Sequence, residues 1–149
     1  MRYSAAVLGA VLAACSSTST SGVPPTAPVL SSAQAMRDFM QAAADSNLAR
    51  MGQLWGTSKG PAAVTNTPAG FEKRLILMQA YLRADSAKVV SDLTIPGAND
   101  KRQLTVAIYR RGCMKQVPAV MIRLGNKGWI VNNVDLAPAG NPARPCEPS

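Results

Sequence analysis

The spacing of apolar residues changes once along this chain, near Ala87, and this change constrains the fold more than any other feature. Before it, apolar side chains recur at helical spacing, as Met36 and Met40 do. After it, they alternate with polar ones, as Val106 and Ile108 do. Helices followed by strands predict an α+β domain, with N-terminal helices packed on one face of a four-stranded antiparallel sheet.

Three helices are expected in the first half of the domain, over about 33–44, 48–55 and 69–84. Each follows residues that cap a helix or interrupt the preceding one. The segment between the second and third helices contains Gly, Thr and Pro and is expected to be a loop. In the third helix, Ile76 projects from the polar face. It is either a single exposed aliphatic side chain or a contact residue.

Four strands are expected in the second half, and turn residues separate them. Their expected ranges are 88–95, 103–110, 116–124 and 129–136. Pro118 lies near the start of the third strand, where it predicts an edge position or a bulge because proline cannot donate to a sheet ladder. The tail that follows contains four prolines and is expected to be irregular.

The composition excludes several classes of function. Apolar residues make up 47% of the 149 residues, which is too many for a disordered chain. The net charge of +8 favours anionic partners, but the cations are scattered and no aromatic side chains interleave with them to stack bases, so nucleic acid is not an expected partner. The chain contains no histidine, which excludes Ser-His-Asp catalysis and His-ligated zinc.

The N-terminus has the features of an export signal. Arg2 precedes an apolar run over 5–12, and Leu12-Ala13-Ala14-Cys15 follows. This last motif resembles the lipobox of bacterial lipoproteins. The resemblance implies that residues 1–14 are a signal peptide and that Cys15 becomes the lipidated N-terminus, with palmitate-type acyl chains. The alternative is an ordinary export signal with a chance cysteine.

A lipidated Cys15 would place the protein on a membrane of the cell envelope. Residues 15–30 would form a flexible tether, because they contain Ser, Thr, Gly and Pro and no charge. Residues 31–149 would form a single domain. By resemblance to lipoprotein sorting, Ser16 implies the outer membrane, facing the periplasm, in a diderm host. In a monoderm host the protein would lie on the outer face of the plasma membrane.

Lipidation of Cys15 would leave two cysteines, Cys113 and Cys146. Export places them in an oxidising compartment, so we expect a disulfide between them that attaches the Pro-rich tail to a turn of the sheet. The alternative is a catalytic or metal-binding thiol. No Cys-x-x-Cys motif, histidine or cluster of acids supports that alternative, and we expect no metal or cofactor.

The order of elements also resembles the nuclear-transport-factor-two-like, or cystatin-like, cone fold. The residues that carry the resemblance are the first helix stripe, the break at 45–48, Gly128-Trp129-Ile130-Val131 and Asp135-Leu136. The resemblance implies a curved sheet, with a pocket between the sheet and the helices. Some members are isomerases that use an Asp or Tyr base, and many members only bind. The candidate pocket residues are Trp55, Tyr81, Asp92, Tyr109, Asn132 and Asp135.

These candidates have simpler interpretations as well. Asp92 and Asp135 suit strand edges or solvent-facing positions, while Trp55 and Trp129 suit the core. No acid can be paired with a second group by spacing, so no catalytic residue is assigned.

We therefore expect a membrane-anchored, non-enzymatic binding or assembly module whose partners are the membrane and another envelope protein. The alternative is a small-molecule binder or isomerase-like enzyme that uses the cone pocket. A third hypothesis is docking of the basic surface on an anionic envelope polymer.

Overall fold

A computed structural model describes residues 31–148. The predicted signal peptide, the lipidation site Cys15 and the tether lie outside the described residues. Within them the fold is α+β, with helices packed on a four-stranded antiparallel sheet, which confirms the predicted fold class.

Four α-helices, six strands and two short 3-10 helices, Gly125–Lys127 and Ala137–Ala139, are the elements of the described residues. The helices are α1 (Ser32–Ala44), α2 (Leu48–Leu54), α3 (Ala62–Thr65) and α4 (Phe71–Leu82). The strands are β1 (Gly56–Thr57), β2 (Gly60–Pro61), β3 (Ser86–Ile95), β4 (Ala98–Arg110), β5 (Cys113–Arg123) and β6 (Trp129–Val134). Within residues 31–148, no helix is long and apolar enough to cross a membrane.

Side chains cap the first two helices where the sequence predicts. The Ser31 hydroxyl oxygen accepts a hydrogen bond from the Gln34 N–H at 3.1 Å. The Asn47 side-chain oxygen accepts one from the Arg50 N–H at 2.9 Å. Each cap satisfies a backbone donor that the first helical turn leaves unpaired.

The loop prediction for 56–68 is wrong in part. Here β1 and β2 form a small antiparallel hairpin and α3 forms a single helical turn. The hairpin depends on glycine, because a Cβ atom on Gly56 would lie 2.2 Å from the carbonyl oxygen of Gly60. Two-residue strands are too short to show any hydrophobic period, so the sequence pattern does not reveal them.

The main sheet is a meander in the order β3-β4-β5-β6. Register shifts at Val89/Ser91 and at Val120/Met121 mark bulges, and bulges bend a strand and increase its twist. This is consistent with the expected curvature. β4 begins five residues earlier than predicted, because its polar start pairs with the end of β3 across the turn at Pro96-Gly97.

Pro118 lies in an interior strand, so the prediction of an edge position is wrong, and the bulge lies two residues further along β5. The Pro118 carbonyl accepts a hydrogen bond from the Asp135 N–H, just past the last β5–β6 pair, Ala119 and Val134. The nitrogen and the carbonyl oxygen of one residue point to the same side of a strand. The N–H that Pro118 lacks would therefore face the position where the pairing between β5 and β6 ends. Proline therefore breaks no ladder bond there.

The core lies between the helices and one face of the sheet. The largest side chains there are almost completely buried: Met36, Phe39, Met51, Leu54, Leu82, Leu104, Val106, Ile108, Val117, Met121 and Val131. The apolar stripe of α1 and the alternating residues of β4 contribute as the sequence predicts. Burial of this apolar surface is the main force that holds the two layers together.

Several interactions attach the tail to the sheet, among them a hydrogen bond from Nζ of Lys115 to the Glu147 carbonyl at 2.6 Å. The predicted disulfide between Cys113 and Cys146 is present, with the Cα atoms 5.3 Å apart. Beside it, the buried Arg110 side chain donates from Nε to the Arg83 carbonyl at 2.8 Å and from Nη1 to the Ala139 carbonyl at 3.2 Å. The tail therefore packs as part of the domain, even though its composition is that of an irregular segment.

Candidate functional site

Two of the predicted pocket residues, Trp55 and Asn132, close the β6 edge of the sheet. Trp55 is 5% exposed and forms a parallel bridge with Val131. The Asn132 amide donates from Nδ2 to the Gly56 carbonyl at 3.0 Å. Both side chains therefore have structural partners, and neither lines a cavity at this edge.

Three of the other tyrosine and acid candidates are Tyr81, Tyr109 and Asp135. Tyr81, on α4, lines a shallow groove against Leu136 and the tail. Tyr109 pairs across the sheet with Met114, on the face opposite the helices, and is 37% exposed. Asp135 is exposed, and its carboxylate accepts a hydrogen bond from the Ala137 N–H at 3.1 Å. Asp135 thus adjoins Leu136 and Ala137, which line the groove of Tyr81, whereas Tyr109 lies on the face of the sheet away from the helices.

Asp92 is half-buried and links three elements. Its Oδ2 accepts a hydrogen bond from the Ser32 hydroxyl at 2.6 Å, at the start of α1. Its Oδ1 accepts from Nε of Arg102, and its carbonyl accepts from Nη2 of Arg102 at 3.0 Å. These contacts join α1, β3 and β4, and they give Asp92 a structural role.

Side chains fill the interior at the point where the cone resemblance implies a pocket. Phe39 and Met51 from the helices, with Leu104 and Met121 from the sheet, are each 0% exposed. Protein interiors of this kind are close-packed, with few voids larger than a water molecule. The clefts of the domain open to the surface, and one of them enters between the helices and the sheet.

The first such cleft, which we call the α1–β3 cleft, opens between α1 and the start of β3 and has a volume of about 270 Å³. Its floor is apolar and is formed by Met40, Leu82, Val89 and Val106. Its polar rim is formed by Arg37, Gln41, Asp85, Ser86 and Lys88. The cleft lies beside β3, whose outer edge no described element pairs with.

Cations dominate the charge at this rim. Arg37 donates from Nε and Nη2 to the Gln34 side-chain oxygen, at 3.1 and 2.7 Å, which holds the guanidinium beside the cleft. Lys88 is exposed and comes from β3. Asp85 is the single carboxylate of the lining, and its Oδ2 accepts a hydrogen bond from the Arg111 N–H at 2.8 Å.

Arg110 adds a buried charge near the same corner. Its Nη2 atom is buried and has no hydrogen-bond partner among the described residues. Burial lowers the pKa of the Arg110 guanidinium below its ordinary value, and the nearby carboxylate of Asp85 opposes that shift. Asp85 therefore contacts one backbone N–H and lies near one buried cation, and its single charge offsets only one of the two cations of the rim.

The second cleft, which we call the α2–α4 groove, is almost entirely apolar. It has a volume of about 310 Å³ and is lined by Leu48, Ala49, Gly52, Ala63, Phe71, Glu72, Leu75 and Ile76. Ile76 is 54% exposed, in agreement with its predicted projection from the polar face of α4. Its place on the groove wall favours the interpretation as a contact residue over that of an isolated aliphatic side chain.

Sequence reasoning missed the α1–β3 cleft. Nothing in the local sequence around Arg37 or Lys88 indicates a site. The cleft exists because α1 packs along β3, which brings together residues about 50 positions apart, and no local pattern reports that packing. Among residues 31–148, no group of three or more His, Cys, Asp or Glu residues is placed to hold a metal ion.

No family model, curated protein or solved structure matches this chain. Its function must therefore be inferred from its own residues and geometry.

Proposed function

We propose that this protein is a lipid-anchored envelope protein whose domain acts as a non-enzymatic binding or assembly module. The observation that carries the proposal is where the open space of the domain lies. Buried side chains fill the interior, and the clefts open at the surface. Enzyme active sites usually need a concave pocket in which titratable groups converge. None of the clefts described above is lined by two of the tyrosine and acid candidates.

The anchor follows from Leu12-Ala13-Ala14-Cys15 and its flanking residues. Several acyl chains on one residue hold a protein on a membrane durably, since each buried methylene contributes about 0.8 kcal/mol. The even number of remaining cysteines supports this part of the proposal, because Cys113 and Cys146 pair with each other and leave Cys15 available for lipid.

Metabolic labelling with radioactive palmitate in a bacterial host tests the anchor. The full chain should incorporate label and fractionate with membranes, while Cys15→Ala should lose both properties. Ser17→Ala is the matched control and should behave as the unchanged chain does. Equal labelling of Cys15→Ala and the unchanged chain would contradict the anchor.

The binding role can be tested in the intact envelope. A photo-crosslinking amino acid at position 76 should give a discrete adduct in living cells, and the same group at the exposed Asn126 should not. Ala49→Arg, which fills the α2–α4 groove from an exposed position, should abolish the adduct at position 76. An adduct that persists in Ala49→Arg would show that the groove is not a binding surface.

The isomerase-like alternative requires an acid at the floor of a cavity. In the α1–β3 cleft the floor is apolar, and Asp85 lies on the rim. No specific contact in the domain favours catalysis over binding. The resemblance to the cone-fold family likewise remains a prediction.

A further inference from the structure

We propose that the α1–β3 cleft binds an anionic amphiphile, that is, a carboxylate or phosphate group joined to a short apolar chain. This inference deepens the proposed binding role, on which it rests, by naming the ligand chemistry of one surface.

The apolar floor indicates where the chain of such a ligand would lie. Met40 comes from α1, Leu82 from the end of α4, Val89 from β3 and Val106 from β4. Four elements therefore contribute carbon atoms to one concave surface of about 270 Å³. Pockets for drug-sized ligands begin at about 300 Å³, so this cleft suits a small ligand or the end of a larger one.

The rim indicates the sign of the head group. Arg37 donates from Nε and Nη2 to Gln34. The two N–H groups of Nη1 take no part in these bonds. Among the described residues, Lys88 has no hydrogen-bond or ion-pair partner. Cations held on two different elements at one mouth form a site for a carboxylate or phosphate.

The single acid of the lining does not cancel this charge. Asp85 accepts a hydrogen bond from the Arg111 N–H and faces the buried charge of Arg110. A cationic head group would meet Arg37 and Lys88 and be repelled. An inorganic anion would leave the apolar floor in water, and a neutral hydrocarbon would leave the two cations without a partner.

Calorimetric titration tests this inference on the full chain held in phosphatidylcholine nanodiscs, with empty nanodiscs as the reference. The probes are hexyl phosphate, inorganic phosphate and hexanol. Hexyl phosphate should bind with an affinity at least tenfold above either fragment. Equal affinity for hexyl phosphate and inorganic phosphate, or no binding of hexyl phosphate, would overturn the proposal.

Three variants locate the binding. Arg37→Gln combined with Lys88→Gln should weaken hexyl phosphate binding at least tenfold, because both charges are lost. Ala87→Trp should weaken it similarly by filling the cleft from an exposed position while both cations remain. Arg74→Gln, on the exposed face of α4, is the matched control and should leave the affinity unchanged. Unchanged thermal unfolding midpoints would show that all of the variants fold, and equal affinities across them would overturn the proposal.

A second arm distinguishes two sources of the ligand. Nanodiscs that contain phosphatidylglycerol should raise the apparent Kd of hexyl phosphate if the natural ligand is a bilayer lipid headgroup. An unchanged Kd would identify a free anionic amphiphile as the ligand. Failure of all cleft binding would leave the palmitate labelling and the crosslink at position 76 unaffected, so the two proposals can fail separately.

Discussion

The two edges of the main sheet differ in what covers them. At the β6 edge, Trp55 pairs with Val131 and Asn132 reaches the Gly56 carbonyl, so the chain covers its own edge. At the β3 edge, no described element pairs with the strand, and a cleft with a charged rim lies beside it. The comparison shows that the chain closes one edge itself and leaves the other unpaired, and this second edge is where we propose that a ligand binds.

An open edge also invites unwanted strand pairing. β3 exposes Val90 and Leu93, at 47% and 60%. It also carries the exposed Lys88 and a bulge at Val89/Ser91, and both charges and bulges discourage edge-to-edge association. The edge is therefore accessible but is poorly suited to simple strand addition.

The largest expected effect is at the closed edge. Trp55→Ala should lower the free energy of unfolding by about 3–5 kcal/mol, because it removes a buried aromatic side chain and leaves a cavity. Urea denaturation of the full chain measures this loss. Trp129→Ala, at a half-buried position, should cost less. Equal losses for the two variants would break the assignment of Trp55 to a sealed edge.

The second largest loss of unfolding free energy is expected when the disulfide is removed. Cys113→Ser combined with Cys146→Ser should lower the free energy of unfolding by about 3–4 kcal/mol in the chain-entropy model, since the bridge joins residues 33 positions apart. Thermal unfolding with and without a reducing agent measures it. The reducing agent should destabilise the unchanged chain and have no effect on the double variant.

A smaller effect is expected at Asn132. Asn132→Ala should cost about 1–2 kcal/mol, because the Gly56 carbonyl loses its side-chain donor in a half-buried site. The neighbouring exposed residue provides the control: Asn133→Ala should stay within about 0.5 kcal/mol. Urea midpoints of the two variants would sharpen the comparison, and equal midpoints would argue against a structural role of the Asn132 amide.

At the open edge, Asp92→Asn should cost about 1 kcal/mol. The change weakens the bonds that the carboxylate accepts from the Ser32 hydroxyl and from Nε of Arg102, but it retains a polar group of the same shape. The difference from the unchanged chain should shrink in high salt, because screening weakens the partly exposed ion pair. Denaturation at low and high ionic strength measures this, and a salt-independent loss would contradict an electrostatic origin.

The smallest stability effect is expected at Lys88. Lys88→Gln should change the free energy of unfolding by less than about 0.5 kcal/mol, because the side chain is exposed. The same change should weaken ligand binding in the cleft. A large loss of stability in Lys88→Gln would break the division between a stabilising edge and a binding edge.

Much of the fold could be predicted because the core pattern is local. The α1 stripe of Met36 and Phe39 and the β4 alternation of Val106 and Ile108 follow from the geometry of a helix and a strand. The disulfide could be predicted from counting cysteines once Cys15 was assigned to lipid. The β1–β2 hairpin could not, because two-residue strands carry no periodic signal and depend on the close approach at Gly56.

The candidate site was much less predictable. Tyr81, Tyr109 and Asp135 were selected as polar groups on elements of a possible cone. Tyr109 faces away from the helices instead, while Tyr81 and the neighbours of Asp135 line a groove beside the tail. Asn132 and Trp55 became edge contacts instead of pocket residues. Side-chain direction depends on register and on packing between layers, and a single sequence reports neither directly.

The sequence by itself determined the order of the longer helices and strands and the faces that they bury, because spacing along the chain dictates these properties. Counting cysteines, with Cys15 set aside, predicted which two pair. Only the tertiary structure decided that the interior is filled, that one sheet edge is covered and that Arg37 and Lys88 share a cleft. The physical reason is that these features arise from contacts between residues far apart in the chain, whose relative placement is set by the packing of α1 against β3.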